Sequence, residues 1–206
     1  MDIDALIKIL MGFLNERHGS FYTSTNLRDN PDVCHASCLW FLEHVATDGL
    51  METLSALSSM SKSTFKLAQK HAISGPKMPK QMLDKVRSSG RNISDKDVQA
   101  IQYAISAHQQ PRSYIGDVTT FVANVVISMM TSSQDNMMIY MLGGGSSAGH
   151  VICLRRHVGG ILIYDPNMGV MSARLADTDT WAEVLRRILS WYRDQMQLTR
   201  FGYLFK

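Results

Sequence analysis

Cys34 has the residue type and the sequence surroundings of a catalytic nucleophile. Pro31 and Asp32 predict a helix start just before it, because an aspartate can cap exposed N–H groups and a proline cannot continue a helix backwards. Cys34 then falls in the first helical turn, and apolar Leu39 and Trp40 follow at the spacing of a core-facing helix. The positive end of the helix dipole favours a thiolate over a thiol at such a position. The stretch therefore predicts a reactive cysteine, with an inert buried cysteine as the alternative interpretation.

A histidine and an aspartate that could act with this cysteine lie far downstream. The segments 149–154 and 160–165 are rich in β-branched and apolar residues and are bounded by turn residues, which predicts two strands. Their short connection predicts a hairpin, in which His150 near the start of one strand lies beside Asp165 at the end of the next. A thiol, an imidazole base and an acid that orients the base are the three groups of a cysteine hydrolase.

Three blocks of the sequence together resemble the YopT/AvrPphB-type cysteine proteases, which are bacterial effectors delivered into host cells. The blocks are Cys34 with Trp40 six residues later, the Gly149-His150 dipeptide, and the run Asp-Pro-Asn-Met-Gly at 165–169. The family pattern has a cysteine followed by a helix with that tryptophan, a Gly-His at a strand start, and an Asp-Pro-Asn-x-Gly that closes the next strand. All three blocks occur in this order, and residues 30 to 170, which they span, are most of the chain.

The resemblance implies a papain-like fold in which Cys34 is the nucleophile, His150 the base and Asp165 the orienting acid. Papain-like enzymes complete an oxyanion hole with the backbone N–H of the nucleophile and an upstream side-chain amide. Asn26 and Asn30 are the candidates for this amide, with Asn26 preferred, because the usual position six residues before the cysteine holds an arginine. The alternative is that both asparagines only form turns.

The surrounding sequence predicts an α+β fold, with a helical lobe followed by an antiparallel β-sheet lobe. The chain is long enough for one domain, residues 1–206, with a helical part over about 1–133 and a sheet part over about 134–206. Residues 18–30 are polar and are predicted as a loop. Besides the helix that carries Cys34, helices are predicted at 2–17, 50–60, 62–71, 80–86, 94–108, 117–130 and 179–197, and strands at 137–142, 149–156, 161–165, 170–173 and 200–205.

Composition narrows the class of protein. A hydrophobic fraction of 45% and a charged fraction of 19% are typical of globular chains, and a net charge of +3 without a Lys/Arg run among aromatics predicts no nucleic-acid partner. No apolar run reaches the length of a membrane span, and the acidic start predicts no cleaved signal peptide. Three cysteines do not form a disulfide framework. Cys34, His35 and Cys38 lack a second pair that could complete a zinc site, so no metal or cofactor is expected.

Residues and resemblance together predict a cysteine protease that hydrolyses a specific host or competitor protein through a Cys-His-Asp triad and a thioester. The resemblance also implies a virulence effector or toxin, cytoplasmic before export and secreted without a cleaved signal peptide. A secretion chaperone or secretion-system component is then a further partner. Glutamine deamidases, transglutaminases and cell-wall amidases use the same triad and stay as alternatives. A non-enzymatic binding module is the last alternative, although it would have no chemical reason to keep all three residues.

Overall fold

A computed structural model describes residues 1–23, 34–59, 111–144 and 149–206. The predicted helices at 62–71, 80–86 and 94–108, and the candidate oxyanion residues Asn26 and Asn30, lie outside these residues. The chain divides into two compact units, one of residues 1–23 with 110–206 and the other of residues 24–109. One domain over residues 1–206 stays a prediction, since two compact units can belong to a single domain.

An antiparallel sheet of six strands forms the centre of the first unit, in the order β1-β5-β4-β3-β2-β6. The five strands predicted from the sequence are confirmed, with ends that differ by at most two residues. Tight turns join β3 to β4 and β4 to β5, as the glycines and the Pro-Asn pair predict. The strands are β1 Ser20–Thr23, β2 Asn136–Gly143, β3 Gly149–His157, β4 Gly160–Asp165, β5 Gly169–Arg174 and β6 Leu198–Phe205.

Strand β1 corrects the prediction of a loop over residues 18–30. It is a four-residue edge strand that pairs with β5, and Ser20 lies opposite Ser172. Phe21, Tyr22 and Thr23 are residue types enriched in strands, but a run of four residues between polar neighbours is too short to predict a strand by itself. The prediction failed because this partner lies about 150 residues downstream in the register that pairs Ser20 with Ser172.

Five helices fall within the described residues, and three of them pack on one face of the sheet. Leu10 of the first, Phe121 of the fourth and Ile188 of the fifth are fully buried in a single core together with Ile139 and Ile163 of the sheet. This core fixes the fifth helix against the face of the sheet that carries alternate residues of β3 and β4. The helices are α1 Ile3–Glu16, α2 Cys34–Thr47, α3 Leu50–Ser59, α4 Val118–Thr131 and α5 Thr178–Met196.

Helices α2 and α3 belong to the second unit. Every residue of α2 from Cys34 to Leu42 is buried, so this helix has no solvent-facing side over its first two turns. Gly49 ends the connection to α3 with φ of +85°, a left-handed conformation that favours glycine after a helix. None of the described helices has both the length and the apolar character needed to cross a membrane.

Candidate active site

Cys34 is the first residue of α2, so the prediction of a first-turn position is confirmed. Its side chain is buried, with 3% of the residue exposed. The hydroxyl of Ser37 donates to the backbone carbonyl of Cys34 at 3.0 Å, which adds a local bond at this end of the helix. Backbone N–H groups of a first turn have no partners within the helix and favour negative charge nearby. The predicted cap residues before Cys34 lie outside the described residues.

The other cysteines fit core positions. Cys38, one turn after Cys34, and Cys153 in the middle of β3 are both fully buried, and the three cysteines are not joined by disulfides. His35 is also buried, with 7% of the residue exposed. Within the described ranges, no three His, Cys, Asp or Glu side chains are grouped so that they could hold a metal ion.

His150 and Asp165 are brought together on one face of the sheet. The β3–β4 ladder pairs Cys153 with Tyr164, and the same register places Asp165 across from Ile152, two residues from His150. His150 and Asp165 are therefore diagonal neighbours, not directly opposite, and side chains at this separation can still meet. Nε2 of His150 lies 3.1 Å from Oδ1 of Asp165, and the two residues are 3% and 0% exposed. The predicted proximity holds, while the catalytic roles of the two residues stay predictions.

The turn after β4 holds the carboxylate of Asp165 in place. The backbone N–H of Asn167 donates to Oδ1 of Asp165 at 2.8 Å, and the N–H of Met168 donates to its backbone carbonyl at 3.1 Å. Gly169 then starts β5 with φ of +123°, in the region that favours glycine. The run at 165–169 thus has a local physical reason for its aspartate and its glycine.

Tyr192 is a member of this cluster that motif reasoning missed. Its hydroxyl lies 2.9 Å from Nε2 of His150 and donates to Oδ1 of Asp165 at 3.1 Å. Its ring stacks on the imidazole, with 4.4 Å between ring centroids and 26° between the planes. The side-chain amide of Asn167 donates to the Tyr192 hydroxyl at 2.9 Å.

A sequence signal for Tyr192 existed. The buried stripe of α5 includes apolar and aromatic residues at helical spacing, namely Trp181, Leu185, Ile188 and Tyr192. A tyrosine on a buried stripe must find a partner for its hydroxyl, so this position already called for a polar group in the core. The sequence alone does not identify that group, because the position of α5 against β3 and β4 is determined by tertiary packing and not by local sequence.

The hydrogen bonds of the cluster decide which imidazole nitrogen carries a proton. Nε2 of His150, Oδ1 of Asp165 and the Tyr192 hydroxyl are mutual neighbours at 2.9 to 3.1 Å. Without a proton on Nε2, its lone pair would face the lone pairs of a buried carboxylate oxygen, which is repulsive. A proton on Nε2, with the phenol proton directed to Oδ1, satisfies all three contacts. These contacts fit the Nε2–H form of His150.

The two carboxylate oxygens of Asp165 differ in the number of hydrogen bonds that they accept. Oδ1 receives the backbone N–H of Asn167, the Tyr192 hydroxyl and Nε2 of His150. Oδ2 is buried and has no hydrogen-bond partner among the described residues. The negative charge of the carboxylate is therefore best stabilised at the oxygen that faces His150.

Comparisons with known proteins support the fold. No protein-family model matches the sequence, and no curated protein matches it. The crystal structure of the Pseudomonas avirulence protein AvrPphB is similar, with a TM-score of 0.56 and 12% identity, over 89% of this chain and 95% of that chain. At this identity the likeness shows the fold alone. The predicted fold class, an α+β chain of the papain-like kind, is confirmed.

Proposed function

We propose that this protein is a cysteine protease with Cys34 as nucleophile, His150 as base and Asp165 as the acid that orients the base. The observation that carries the proposal is the buried pair of His150 Nε2 and Asp165 Oδ1 at 3.1 Å. Such a pair prepares an imidazole for proton transfer at its other nitrogen. A cysteine in the first turn of a buried helix and the fold shared with AvrPphB support the same assignment.

The reaction begins with a thiolate–imidazolium pair. Cys34 Sγ gives its proton to Nδ1 of His150, and the negative charge of Asp165 beside Nε2–H stabilises the resulting cation. The sulfur then forms a bond to the carbonyl carbon of the substrate, and the π electrons of the carbonyl move to its oxygen. The backbone N–H of Cys34 and a side-chain amide, that of Asn26 or Asn30, stabilise this oxyanion.

Two proton transfers complete the cycle. When the carbon–nitrogen bond breaks, Nδ1–H of His150 gives its proton to the leaving amine, and an acyl thioester remains on Cys34. Water then adds to the thioester carbon while Nδ1 takes a proton from it. The carbon–sulfur bond breaks and the thiolate–imidazolium pair is restored. Every proton transfer in this cycle uses Nδ1, which agrees with a proton held at Nε2 by Asp165.

The substrate in this proposal is a specific protein of a host or competitor cell. The protein then acts as an effector or toxin after secretion, and a secretion chaperone or secretion-system component is an additional partner. The support for this part is the fold shared with an avirulence protein of Pseudomonas and the family motifs around residues 34, 150 and 165.

The proposal is tested by incubating the protein with a eukaryotic cell extract and with a bacterial one, and identifying new protein N-termini by mass spectrometry. The matched controls are Cys34→Ala, which removes the nucleophile, and Cys153→Ala, which removes a thiol from the centre of β3. We expect a small set of new N-termini with wild type and Cys153→Ala, and none with Cys34→Ala. Glutamine deamidation or cross-linking without chain cleavage, dependent on Cys34, would replace the protease by one of the transferase or deamidase alternatives.

A further inference from the structure

We propose that Tyr192 is a positioning residue of the site, which holds the imidazole of His150 through both its hydroxyl and its ring face. This inference rests on the proposed function, in which His150 is the base. Tyr192 does not reach the reacting atoms in this account, and its effect passes through His150 and Asp165. The geometry that carries the proposal is the closed triangle of His150 Nε2, Asp165 Oδ1 and the Tyr192 hydroxyl.

The hydroxyl of Tyr192 contributes two hydrogen bonds to the arrangement. It donates to Oδ1 of Asp165 at 3.1 Å, and its oxygen lies 2.9 Å from Nε2 of His150 and can accept part of the Nε2–H bond. The amide of Asn167 donates to the same oxygen at 2.9 Å, which directs the phenol proton away from that amide and towards Asp165. This proton arrangement satisfies the contacts among Tyr192, Asp165, His150 and Asn167 given above.

The ring of Tyr192 restricts the imidazole in a second way. The two rings stack at 4.4 Å between centroids, so the imidazole plane cannot turn away from Asp165 without losing the stack. Trp191 packs edge-on against Tyr192 at 5.0 Å between centroids, and Tyr192 itself is fully buried. A ring held on one face and at one nitrogen keeps Nδ1 in a fixed direction, which is what a base needs for fast proton transfer.

Removal of the hydroxyl alone separates this role from core packing. Tyr192→Phe keeps the ring and its stack but loses the hydroxyl's contacts with His150 and Asp165 and the bond that it accepts from Asn167. Tyr203→Phe is the matched control, because it also removes one phenol hydroxyl, which bonds Ser128 at 2.7 Å. Asn167→Ala is a milder variant, since it removes the amide donor to Tyr192 and keeps the backbone N–H to Asp165.

The measurement is the exchange of the His150 Nε2 proton with water, followed by NMR on protein labelled with ¹⁵N at histidine. We expect a protected Nε2–H in wild type and in Tyr203→Phe. Exchange should be about tenfold faster or more in Tyr192→Phe, because the free energy of a hydrogen bond to a charged group corresponds to about this change in rate. Asn167→Ala should give a smaller increase and serves if Tyr192→Phe does not fold. Backbone amide exchange in β3 and β4 should stay unchanged, which a general loosening of the fold would not allow.

The outcomes separate this inference from the proposed function. The positioning role is overturned if the His150 Nε2 proton exchanges at the wild-type rate in a folded Tyr192→Phe protein, or if this proton is unprotected in wild type. Either result holds independently of the reactivity of Cys34. Alkylation of Cys34 at pH near 6, where an ordinary thiol is almost fully protonated, reports on the proposed function. If His150→Ala slows this alkylation, we expect Tyr192→Phe to slow it about tenfold. If His150→Ala leaves it unchanged, the proposed function fails even when the Nε2 proton behaves as expected.

Discussion

The histidine–aspartate pair and the cysteine of the proposed site are held by different kinds of structure. His150 and Asp165 lie on adjacent antiparallel strands, where the register and three further hydrogen bonds fix their contact. Cys34 is placed by the start of one helix and by burial around it. A slip of one residue in β3 would move His150 to the other face of the sheet, whereas a helix start can shift by one residue with a small change of direction. The strand-borne pair is therefore specified more tightly by its own sequence than the helix-borne thiol is.

Loss of the thiol is expected to have the largest effect. Cys34→Ser should reduce turnover by about 10⁴-fold or more, because removal of a catalytic nucleophile leaves only binding and oxyanion stabilisation. Cys38→Ala, one turn further along α2, should keep most activity in the folded fraction, since Cys38 is a fully buried core thiol. The check is product formation per folded molecule, with folding measured by circular dichroism. Equal loss in both variants would contradict a special role for Cys34.

Two substitutions of Asp165 test how the sheet part of the site works. Asp165→Ala leaves the donors from Asn167, Tyr192 and His150 without an acceptor, and we expect a loss of turnover of about 10²-fold to 10⁴-fold. The turnover of Asp165→Asn should be at least tenfold higher than that of Asp165→Ala. This difference corresponds to the free energy of about one strong hydrogen bond, which the asparagine keeps. The reason is that the Asn167 N–H and the Tyr192 hydroxyl both require an acceptor, so the amide oxygen should face Nε2.

The Asp165→Asn substitution should also lower the stability of the folded protein. The amide nitrogen would then occupy the place of Oδ2, which is buried and has no partner among the described residues. We expect a loss of about 1–3 kcal/mol in the free energy of unfolding for this buried donor, measured by urea denaturation. An Asp165→Asn protein with the proton on Nδ1 of His150, and with no more activity than the alanine variant, would contradict this account.

Core substitutions compare the two compact units. Ile188→Ala in α5 and Leu57→Ala in α3 each truncate a fully buried side chain, and each should lower the free energy of unfolding by about 2–5 kcal/mol. If the predicted single domain is correct, each variant should unfold in one cooperative transition. Coincident urea curves from tryptophan fluorescence and circular dichroism are the check. Two separated transitions would instead assign an independent stability to each unit.

The smallest expected effect concerns the N-terminus of α5, the helix that carries Tyr192. The carboxylate of Asp177 accepts the hydroxyl and the N–H of Thr180 at 2.7 and 3.2 Å, and the bond from the hydroxyl is the main reason why the pKa of Asp177 is below its usual value. Asp177→Ala should lower the free energy of unfolding by about 1 kcal/mol at neutral pH.

This cap contribution depends on pH in a defined direction. Because the pKa of Asp177 is lower in the folded state, its contribution is fully present above the unfolded pKa of about 3.9 and is lost as the pH falls through the folded value. The difference between wild type and Asp177→Ala should therefore shrink below pH 4. Urea denaturation of both proteins between neutral and acidic pH is the measurement, and a constant or growing difference in acid would contradict the role of the charge.

Much of the sheet could be predicted from the sequence, because local patterns determine hairpins. The turn residues between β3 and β4 set the register, and the register alone brings His150 within reach of Asp165. Strand β1 and the contacts of Tyr192 could not be predicted in the same way. The Tyr192 hydroxyl meets Asp165 across 27 residues of chain, and only the packing of α5 on the sheet determines that contact.

The part of the site around Cys34 was predicted less completely than the strand pair. The first-turn position of Cys34 followed from local helix signals and is confirmed, whereas the burial of His35 depends on what covers α2 and has no local signal. Asn26 and Asn30 lie outside the described residues, so the choice of an oxyanion donor still rests on their position before the cysteine. Which side chains of a helix are covered depends on tertiary packing, which local sequence patterns do not specify.

In the proposed mechanism Cys34 and His150 act as one ionised pair, and the reactivity of the thiol reports on this pair. The measurement is the rate of iodoacetamide alkylation of Cys34, Cys38 and Cys153 across acidic and neutral pH, for wild type and His150→Ala, read by peptide mass spectrometry. We expect that Cys34 alone reacts quickly well below the ordinary thiol pKa of about 8.5, and that His150→Ala abolishes this reactivity. If Cys34 reacts like an ordinary or buried thiol in both proteins, the two residues do not form an ionised pair.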